Sequence, residues 1–386
     1  MIKYILPLLI LTSITCNAQE IKQVTKFVEK KIKDKKIAGA VVMVSGVKQN
    51  HHFTAQGYQD IDTKTKMDTN SIFRIYSMTK PVTSVAILQL QEKDSLNIDD
   101  PITKYIPELK GLKVLKNGKK VELEKEISIR DLMRHTAGFT YGFFSNTEVD
   151  KLYKKNNPLF VSNNEQFISK VADLPLLNQP GEKYHYSIAT DILGVIVEKA
   201  SGMKLSQYFD KFIFEPLGMH DTGFYVPEKD KDRFCTNYSP KLKVIQTNKS
   251  TEFVGKNEFR RESGGGGLVS TASDYMKFGL MLLGEGNLNG VTILNGESII
   301  EMTMNQLKED DTASIGTGFG LGVSVQLKEW GNHGHEGDFG WNGAASTHFI
   351  ASGHENVVII ILTQIMPYSH QMMKGIKPIV YKTIES

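Results

Sequence analysis

The chain has 386 residues, of which 40% are hydrophobic and 23% charged, and its formal net charge is +3. This composition is typical of a globular protein large enough for one big domain or two subdomains. The charge is too small to indicate a nucleic-acid partner. Beyond the N-terminus the sequence predicts no transmembrane helix, because the most apolar later run, residues 357–362, has only the length of a strand.

Residues 1–18 predict a cleaved export signal. Lys3 supplies a positive start, residues 5–11 an apolar core, and Ala18 a small residue at the cleavage point. The apolar core is too short to span a bilayer. We therefore expect an exported protein, periplasmic or extracellular. The alternative is a membrane-anchored lipoprotein with a lipid on Cys16, although the residues before it fit a lipoprotein cleavage box poorly.

Cleavage after Ala18 would leave Cys235 as the single cysteine of the mature chain. A protein with one thiol has no internal disulfide. The surroundings of Cys235 contain no signal of an activated thiol, so we interpret it as a structural residue.

Hydrophobic periodicity predicts strands at both ends of the mature chain and helices between them. The predicted helices are residues 21–35, 77–92, 127–134, 186–200, 274–283 and 372–384. The predicted strands are residues 38–47, 52–58, 318–325, 345–350 and 356–363. Strands from both termini indicate one antiparallel sheet flanked by helices, an α/β (α+β) fold with an inserted, mostly helical subdomain.

We expect the α/β part to cover about residues 19–95 and 286–386, and the helical insert about residues 96–285. A cleft between the two parts is the expected place for a functional site. The run Ser-Gly-Gly-Gly-Gly at 263–267 is predicted to be a flexible loop. It lacks the Gly-x-x-x-x-Gly-Lys-Ser/Thr pattern of a phosphate-binding loop.

The spacing Ser-x-x-Lys occurs three times, beginning at Ser45, Ser77 and Ser201. Ser45 falls in a strand-like run, where a serine and a lysine three residues apart face opposite sides of a sheet. Ser201 precedes Gly202, which is typical of a helix end. Ser77 alone opens a long apolar helix, so it is the candidate functional serine.

Ser77 and Lys80 are a candidate nucleophile and base, since they lie one turn apart on the same face of the predicted helix. A serine hydroxyl becomes a good nucleophile when a neighbouring base takes its proton, and a lysine amine with a lowered pKa can do this. The free N–H groups of a helix N-terminus stabilise an oxyanion, and its positive end disfavours a second cation. We therefore assign Ser77 as nucleophile and Lys80 as its activating neighbour.

Four motifs follow one another in the order found in a known group of enzymes: residues 73–80, 132–138, 180–187 and 267–271. With them the chain resembles the serine β-lactamase and penicillin-binding-protein superfamily from about Ile37 to Gln364. The similar branch comprises class C β-lactamases, D-Ala-D-Ala peptidases and family VIII carboxylesterases. The resemblance implies the same fold and an acyl-serine intermediate.

The resemblance also assigns a third catalytic residue. The Tyr-x-Asn motif of class C enzymes matches residues 186–188, which makes Tyr186 the base or proton shuttle, its pKa lowered by the charge of Lys80. Ile188 stands where the class C enzymes have asparagine and cannot hydrogen-bond a substrate amide. This stretch is similar to the esterase branch.

The Lys-Thr-Gly motif of β-lactamases falls at Trp341, Asn342 and Gly343, which the resemblance makes substrate-binding residues. The esterases carry Trp-Gly-Gly there, so Asn342 departs from both patterns. The backbone N–H groups of Ser77 and Ala344 are expected to form the oxyanion hole. Loss of the lysine removes a cation for a substrate carboxylate, which favours neutral esters over penicillins.

The sequence thus predicts a serine hydrolase that cleaves small ester or amide bonds and is most similar to esterases, without metal or organic cofactor. A class C-type β-lactamase or D-Ala-D-Ala carboxypeptidase is the alternative, and a penicilloyl-binding sensor without turnover is another. A zinc hydrolase is less favoured, because the spacing of His333, His335 and Asp338 is one residue off the His-x-His-x-Asp-His pattern and no second ligand cluster is obvious. His135 is interpreted as a loop histidine satisfied by backbone groups, without a catalytic role.

Overall fold

The structure, a computed structural model, describes residues 21–46, 50–246, 252–256 and 260–384. The predicted export signal and Cys16 lie outside the described residues. No helix in the described part of the chain is long and apolar enough to cross a membrane.

The α-helices are numbered in chain order. They are α1 (Lys22–Lys33), α2 (Thr79–Glu92), α3 (Ile129–Met133), α4 (Glu148–Asn156), α5 (Asn164–Ala172), α6 (Ala189–Ser201), α7 (Leu205–Phe209), α8 (Glu215–Leu217), α9 (Ala272–Leu283), α10 (Gly296–Thr303) and α11 (Gln371–Ile384).

The strands are numbered in the same way. They are β1 (Gly39–Gly46), β2 (Asn50–Asp60), β3 (Thr65–Lys66), β4 (Phe73–Arg74), β5 (Val114–Lys116), β6 (Lys119–Val121), β7 (Val269–Ser270), β8 (Asn287–Leu288), β9 (Val291–Thr292), β10 (Thr317–Phe319), β11 (Ser324–Gln326), β12 (Phe339–Gly343), β13 (Thr347–Ser352) and β14 (Val357–Leu362).

Strands from both ends of the chain form one antiparallel sheet of eight strands, in the order β10-β11-β12-β13-β14-β1-β2-β3. The N-terminal strand β1 pairs with the C-terminal strand β14, with Val41 opposite Leu362. This arrangement confirms the predicted fold class, an antiparallel sheet flanked by helices. The division of the chain at residues 95 and 286 stays a prediction.

The sheet is covered by helices on both faces, so its central strand β14 is buried along its whole length. Ile359 and Ile361 face α1 and α11, whose apolar residues form one core cluster with them. Val358 and Ile360 face the opposite side, where α2 and α9 contribute to the larger cluster. A strand buried on both faces reads as a continuous apolar run, which is why residues 356–363 were recognisable as a strand.

Two predicted elements near the site differ from the structure. Residues 318–325 were predicted as one strand but form the hairpin β10–β11, because Gly322 takes a φ of +90° that turns the chain. The helix predicted from Tyr186 begins three residues later, at Ala189. Tyr186 therefore lies in the segment leading into α6 and projects from a loop.

Side-chain and glycine caps set the ends of several helices. Ser128 caps α3 in a capping box with Asp131, and Thr271 caps α9. Gly202 ends α6 in the left-handed conformation, so Ser201 lies at a helix C-terminus as predicted. Cys235 is a buried free thiol, and burial raises its pKa.

Candidate active site

Ser77 occupies the middle of a single 3-10 turn immediately before α2. The preceding residue, Tyr76, has a φ of +43°, a strained conformation that only surrounding contacts can maintain. Asn237 Nδ2 donates to Tyr76 OH at 2.8 Å, and Tyr275 OH donates to the carbonyl of Met78 at 2.6 Å. These contacts fix the turn, so Ser77 is held in position at the wall of a large cavity.

Lys80 is fully buried one turn after Ser77, as the spacing predicted. Its Nζ lies 3.3 Å from Ser77 Oγ, 2.9 Å from Tyr141 OH and 2.6 Å from the carbonyl oxygen of Gly265. Three partners at these distances leave the amine little freedom to turn away. Lys80 is therefore oriented to exchange a proton with the Ser77 hydroxyl.

The glycine-rich segment 263–267 is bound to α2, although the sequence predicted a flexible loop. The carbonyl of Gly264 accepts a hydrogen bond from Thr83 Oγ1 at 2.7 Å, and the carbonyl of Gly265 accepts the one from Lys80. Glycine is required because a Cβ on Gly264 would lie 2.7 Å from the carbonyl oxygen of Thr190. The segment is a close-packed backbone support for Lys80.

A buried ion pair holds the same segment from the side of α6. Asp191 Oδ1 lies 2.7 Å from Arg261 Nη2, and the two side chains are 2% and 3% exposed. The same oxygen accepts a hydrogen bond from Ser263 Oγ at 2.6 Å. A Cβ on Gly265 would lie 2.3 Å from Asp191 Oδ2, so the carboxylate packs directly against the backbone that binds Lys80.

Tyr186 lies beside Lys80 but is not hydrogen-bonded to it. Its ring centroid is 4.8 Å from Lys80 Nζ, and its hydroxyl interacts with that of Tyr141. The structure thus brings together Ser77, Lys80 and Tyr186, the three residues assigned from the sequence. Tyr186 also lines the cavity at which Ser77 lies.

Tyr141 is a site residue that the sequence analysis missed. Its hydroxyl accepts the hydrogen bond from Lys80 Nζ, and its ring lies 5.2 Å from that of Tyr186. Burial, followed by the proximity of Tyr186 and Asp191, raises the pKa of Tyr141 well above its usual value. Tyr141 therefore keeps its proton. No spacing rule connects it to Ser77, since it comes from the loop before α4.

The ring of His135 packs against the ring of Tyr186. Its ring centroid is 4.9 Å from that of Tyr186, and its Nδ1 is 3.3 Å from Ser187 Oγ, a side-chain partner where the sequence predicted backbone partners. Burial, with the nearby charge of Lys80, lowers the pKa of His135 well below its usual value. His135 is thus a neutral imidazole packed against Tyr186, and its lack of a catalytic role stays a prediction.

Strand β12, which the sequence analysis did not predict, brings Gly343 and Ala344 to the Ser77 turn. A Cβ on Gly343 would lie 2.3 Å from the carbonyl oxygen of Ile75, so only glycine permits this approach. Ala344 lines the same cavity as Ser77. The strand and the turn are therefore in close contact beside Ser77, and the oxyanion hole of Ser77 and Ala344 stays a prediction.

Trp341 and Asn342, adjacent on β12, make different contacts. The ring of Trp341 packs against Tyr186 at 5.3 Å and Phe319 at 5.0 Å, which places it beside the catalytic candidates. Asn342 Oδ1 lies 2.8 Å from Nδ1 of His348, a buried residue whose pKa burial lowers to about 3. The neutral imidazole donates to this amide oxygen, so part of the polar capacity of Asn342 is used within the protein.

The site opens into a cavity of about 1500 Å³. Its walls include an exposed aromatic group, Phe143 (65% exposed), Phe144 (55%) and Phe160 (60%), together with Ile315 (88%). Arg260 also lines it, but its guanidinium donates to the carbonyls of Gly267 and Phe224 and lies 3.8 Å from the Phe253 ring. Most of this surface suits an apolar group.

The histidine-rich segment considered for zinc hydrolysis contributes His333 and Asp338 to another part of the cavity wall. Among the described residues, no histidine or carboxylate is hydrogen-bonded to Ser77 or Lys80. His335 contacts Glu329 and Glu355, and Asp338 pairs with Lys377 at 2.8 Å. The segment is therefore separate from the Ser77–Lys80 contact.

The fold and these contacts define a class, the hydrolases that combine an antiparallel sheet with a Ser-x-x-Lys helix. Residues 24–375 match the family described as Beta-lactamase, and the chain belongs to that family. It is therefore a β-lactamase-family hydrolase, which confirms the resemblance read from its motifs.

Three similar proteins show the range of the family. Protein Rv1367c of Mycobacterium tuberculosis is 34% identical over 352 residues, 86% of each chain. Esterase EstB of Burkholderia gladioli is 30% identical over 210 residues, 54% of this chain and 52% of EstB. The solved structure of EstCE1, described as a hydrolase with promiscuous acyltransferase activity, is 25% identical with a TM-score of 0.80 and covers 93% of this chain and 98% of its own.

Proposed function

We propose that this protein is a serine esterase that cleaves small, uncharged esters through an acyl intermediate on Ser77. The observation that carries the proposal is the 3.3 Å contact between Lys80 Nζ and Ser77 Oγ at the wall of a largely apolar cavity. The similarity to Esterase EstB supports an ester substrate, and the similarity to EstCE1, a hydrolase with promiscuous acyltransferase activity, supports an acyl intermediate.

In the proposed acylation, Ser77 Oγ forms a bond to the substrate carbonyl carbon while its proton passes to the amine of Lys80. The carbonyl π electrons move to the oxygen, which is stabilised by the N–H groups of Ser77 and Ala344. When the tetrahedral intermediate collapses, the carbonyl re-forms, the bond to the leaving alcohol breaks, and the alcohol oxygen takes a proton. Tyr186 donates its own hydroxyl proton to the alcohol oxygen and then recovers a proton from the Lys80 ammonium, whose Nζ lies 4.8 Å from its ring centroid.

Deacylation reverses these steps with water as nucleophile. Water loses a proton to the Lys80–Tyr186 pair and attacks the acyl carbon. The bond from that carbon to Ser77 Oγ then breaks, the acid is released, and the pair returns the proton to Ser77 Oγ. Tyr141 takes part by binding Lys80 Nζ, so that the amine stays directed at Ser77 while its proton comes and goes. An alcohol entering in place of water would give acyl transfer.

Two features favour esters over β-lactams. Ile188, which replaces the class C asparagine, is 1% exposed and offers no polar atom from its side chain. Trp341 replaces the lysine of the third motif and packs on Tyr186. The amide of a β-lactam thus lacks its usual asparagine partner, and its carboxylate lacks its usual lysine. An ester with an apolar group can instead pack against the aromatic side chains of the cavity.

The test compares a short-chain p-nitrophenyl ester with a chromogenic cephalosporin, using the purified mature protein and the Ser77→Ala variant. We expect ester turnover that depends on Ser77 and little cephalosporin cleavage. Fast cephalosporin turnover would reverse the preference and support the β-lactamase or peptidase alternative. A persistent acyl adduct without turnover would identify a penicilloyl-binding sensor.

We also propose export, on the basis of residues 1–18. Expression of the full chain in a bacterial host, followed by fractionation and N-terminal analysis, tests this directly. The expected mature protein starts at Gln19 and leaves the cytoplasm. A chain that starts at a lipid-modified Cys16 would show a membrane-anchored lipoprotein, and an unprocessed cytoplasmic chain would exclude export.

A further inference from the structure

The tip of the β13–β14 hairpin meets the loop between β11 and β12 outside the catalytic contact. His354 and Glu355 lie in the hairpin tip, and His335 lies in the loop. One donor atom from each of these three residues lies within 4.8 Å of the other two. Glu355 Oε1 is the shared centre, at 2.7 Å from His335 Nε2 and 3.1 Å from His354 Nδ1.

Both ring nitrogens of His335 face carboxylates. Nδ1 lies 2.8 Å from Glu329 Oε1, and Nε2 lies 2.7 Å from Glu355 Oε1. A neutral imidazole has a single N–H, so one of these contacts needs a cation between the two atoms, either a second proton or a metal ion. A carboxylate on Nδ1 is also the usual partner of a metal-bound histidine, because it fixes the tautomer that directs Nε2 to the metal.

The ring of His335 is held in one plane. It stacks between His354, with centroids 4.0 Å apart, and Tyr381, at 5.1 Å. Tyr381 OH donates to Asp338 Oδ2 at 2.7 Å, and the same oxygen accepts the backbone N–H of His335 at 3.0 Å. The side chains of His335 and Glu355 are 6% and 5% exposed, whereas that of His354 is 64% exposed. The cluster is thus rigid on the protein side and reachable from solvent.

We propose that His335 Nε2, His354 Nδ1 and the Glu355 carboxylate bind one divalent transition-metal ion of the Zn²⁺ type. Two imidazoles and a carboxylate suit Zn²⁺ and its neighbours Co²⁺, Ni²⁺ and Cu²⁺, and they do not suit Mg²⁺ or Ca²⁺, which prefer all-oxygen sites. Three protein ligands leave a position for water on the exposed side.

The ion would join the hairpin tip to the loop that leads into β12, the strand carrying residues 341–343. Its role is structural, because none of its three ligands contacts Ser77 or Lys80 among the described residues. The inference therefore does not rest on the proposed function, and its readout is metal binding itself.

The test titrates untagged, metal-free protein with Zn²⁺ against a chromophoric chelator, and with Co²⁺ while recording its visible d–d absorption. The wild type is compared with His354→Ala and Glu329→Gln. Both altered side chains are exposed (64% and 57%), so the fold should survive, and circular dichroism checks this. His220→Ala, at an exposed histidine outside the cluster, is the matched control.

The expected result is one equivalent of Zn²⁺ per chain, Co²⁺ absorption typical of low coordination number, and no change in His220→Ala. His354→Ala should weaken binding at least about 100-fold, and Glu329→Gln, which alters only the partner of Nδ1, about 10- to 100-fold. Binding that survives His354→Ala would overturn the proposal. So would the absence of binding at micromolar Zn²⁺, which would show that a proton occupies the contact instead.

Discussion

The buried pair Asp191–Arg261 links the stability of the fold to the geometry of Lys80, and Asp191→Asn tests that link. The substitution keeps the shape of the side chain and removes its negative charge, leaving the Arg261 guanidinium 3% exposed without a carboxylate. Removal of one partner of a buried ion pair costs about 3–5 kcal/mol. Arg261 keeps its contacts with the Glu262 carbonyl at 3.3 Å and the Phe167 ring at 4.0 Å. We therefore expect a loss near the lower end, about 3 kcal/mol.

The assay is equilibrium unfolding in urea for Asp191→Asn, Arg261→Met and the double variant. Because a methionine pairs with neither residue, the double variant should be less destabilised than the sum of the single variants, by about 2 kcal/mol. Asp34→Asn is the matched control. It breaks an ion pair at the surface, in which the side chain of Asp34 is 41% exposed and that of Lys30 is 71% exposed, and it should leave the free energy of unfolding unchanged.

Asp191→Asn should also lower kcat more than it changes KM, because the backbone of Gly265, which orients Lys80, packs on the Asp191 carboxylate. The reasoning would be refuted if Asp191→Asn changed the free energy of unfolding as little as Asp34→Asn does. It would also be refuted if the effects of Asp191→Asn and Arg261→Met were simply additive, because the two side chains would then not stabilise the site as a pair.

Three further predictions concern single side chains. Tyr141→Phe should lower kcat about tenfold or more with the fold intact, because Lys80 Nζ loses its hydrogen-bond partner at 2.9 Å. Steady-state ester kinetics measure this effect, and an unchanged kcat would show that Tyr141 does not act in the site. The pKa of His348 is lowered to about 3 in the folded protein, whereas a histidine in the unfolded chain has a pKa near 6.5. The unfolded chain therefore binds a proton first as the pH falls from about 6.5 towards 3. The free energy of unfolding should decrease over this range, by about 3 kcal/mol at pH 4.5. His348→Gln should flatten this part of the pH–stability curve, and equal slopes would contradict the assignment. Cys235, buried with a raised pKa, should resist a thiol reagent until urea unfolds the chain; rapid labelling of the native protein would refute this.

The proposed nucleophile and its lysine could be found from the sequence because they lie one turn apart where α2 begins, and local spacing there determines which side chains meet. Only Ser77 combined the Ser-x-x-Lys spacing with a helix start, and the structure places its Oγ 3.3 Å from Lys80 Nζ. Tyr186 required the family resemblance, since it lies in a loop far along the chain.

The contacts made by loops and by irregular strands could not be read in this way. Tyr141 reaches Lys80 through tertiary folding alone. Strand β12 contains two glycines and an asparagine in five residues, which gives it no alternating pattern, yet packing of its glycines against neighbouring backbone requires that composition. The glycine-rich segment 263–267 was misread as flexible because glycines that permit mobility and glycines that permit close packing look alike in a sequence.

The central claim is that Ser77 carries the acyl group. The most direct measurement traps the acyl-enzyme with a slowly released p-nitrophenyl ester and locates the adduct by intact mass and peptide mapping. We predict one acyl group per chain on the peptide containing Ser77, lost together with turnover in Ser77→Ala. Turnover that persists in Ser77→Ala, or an adduct on Ser45 or Ser201, would contradict the account.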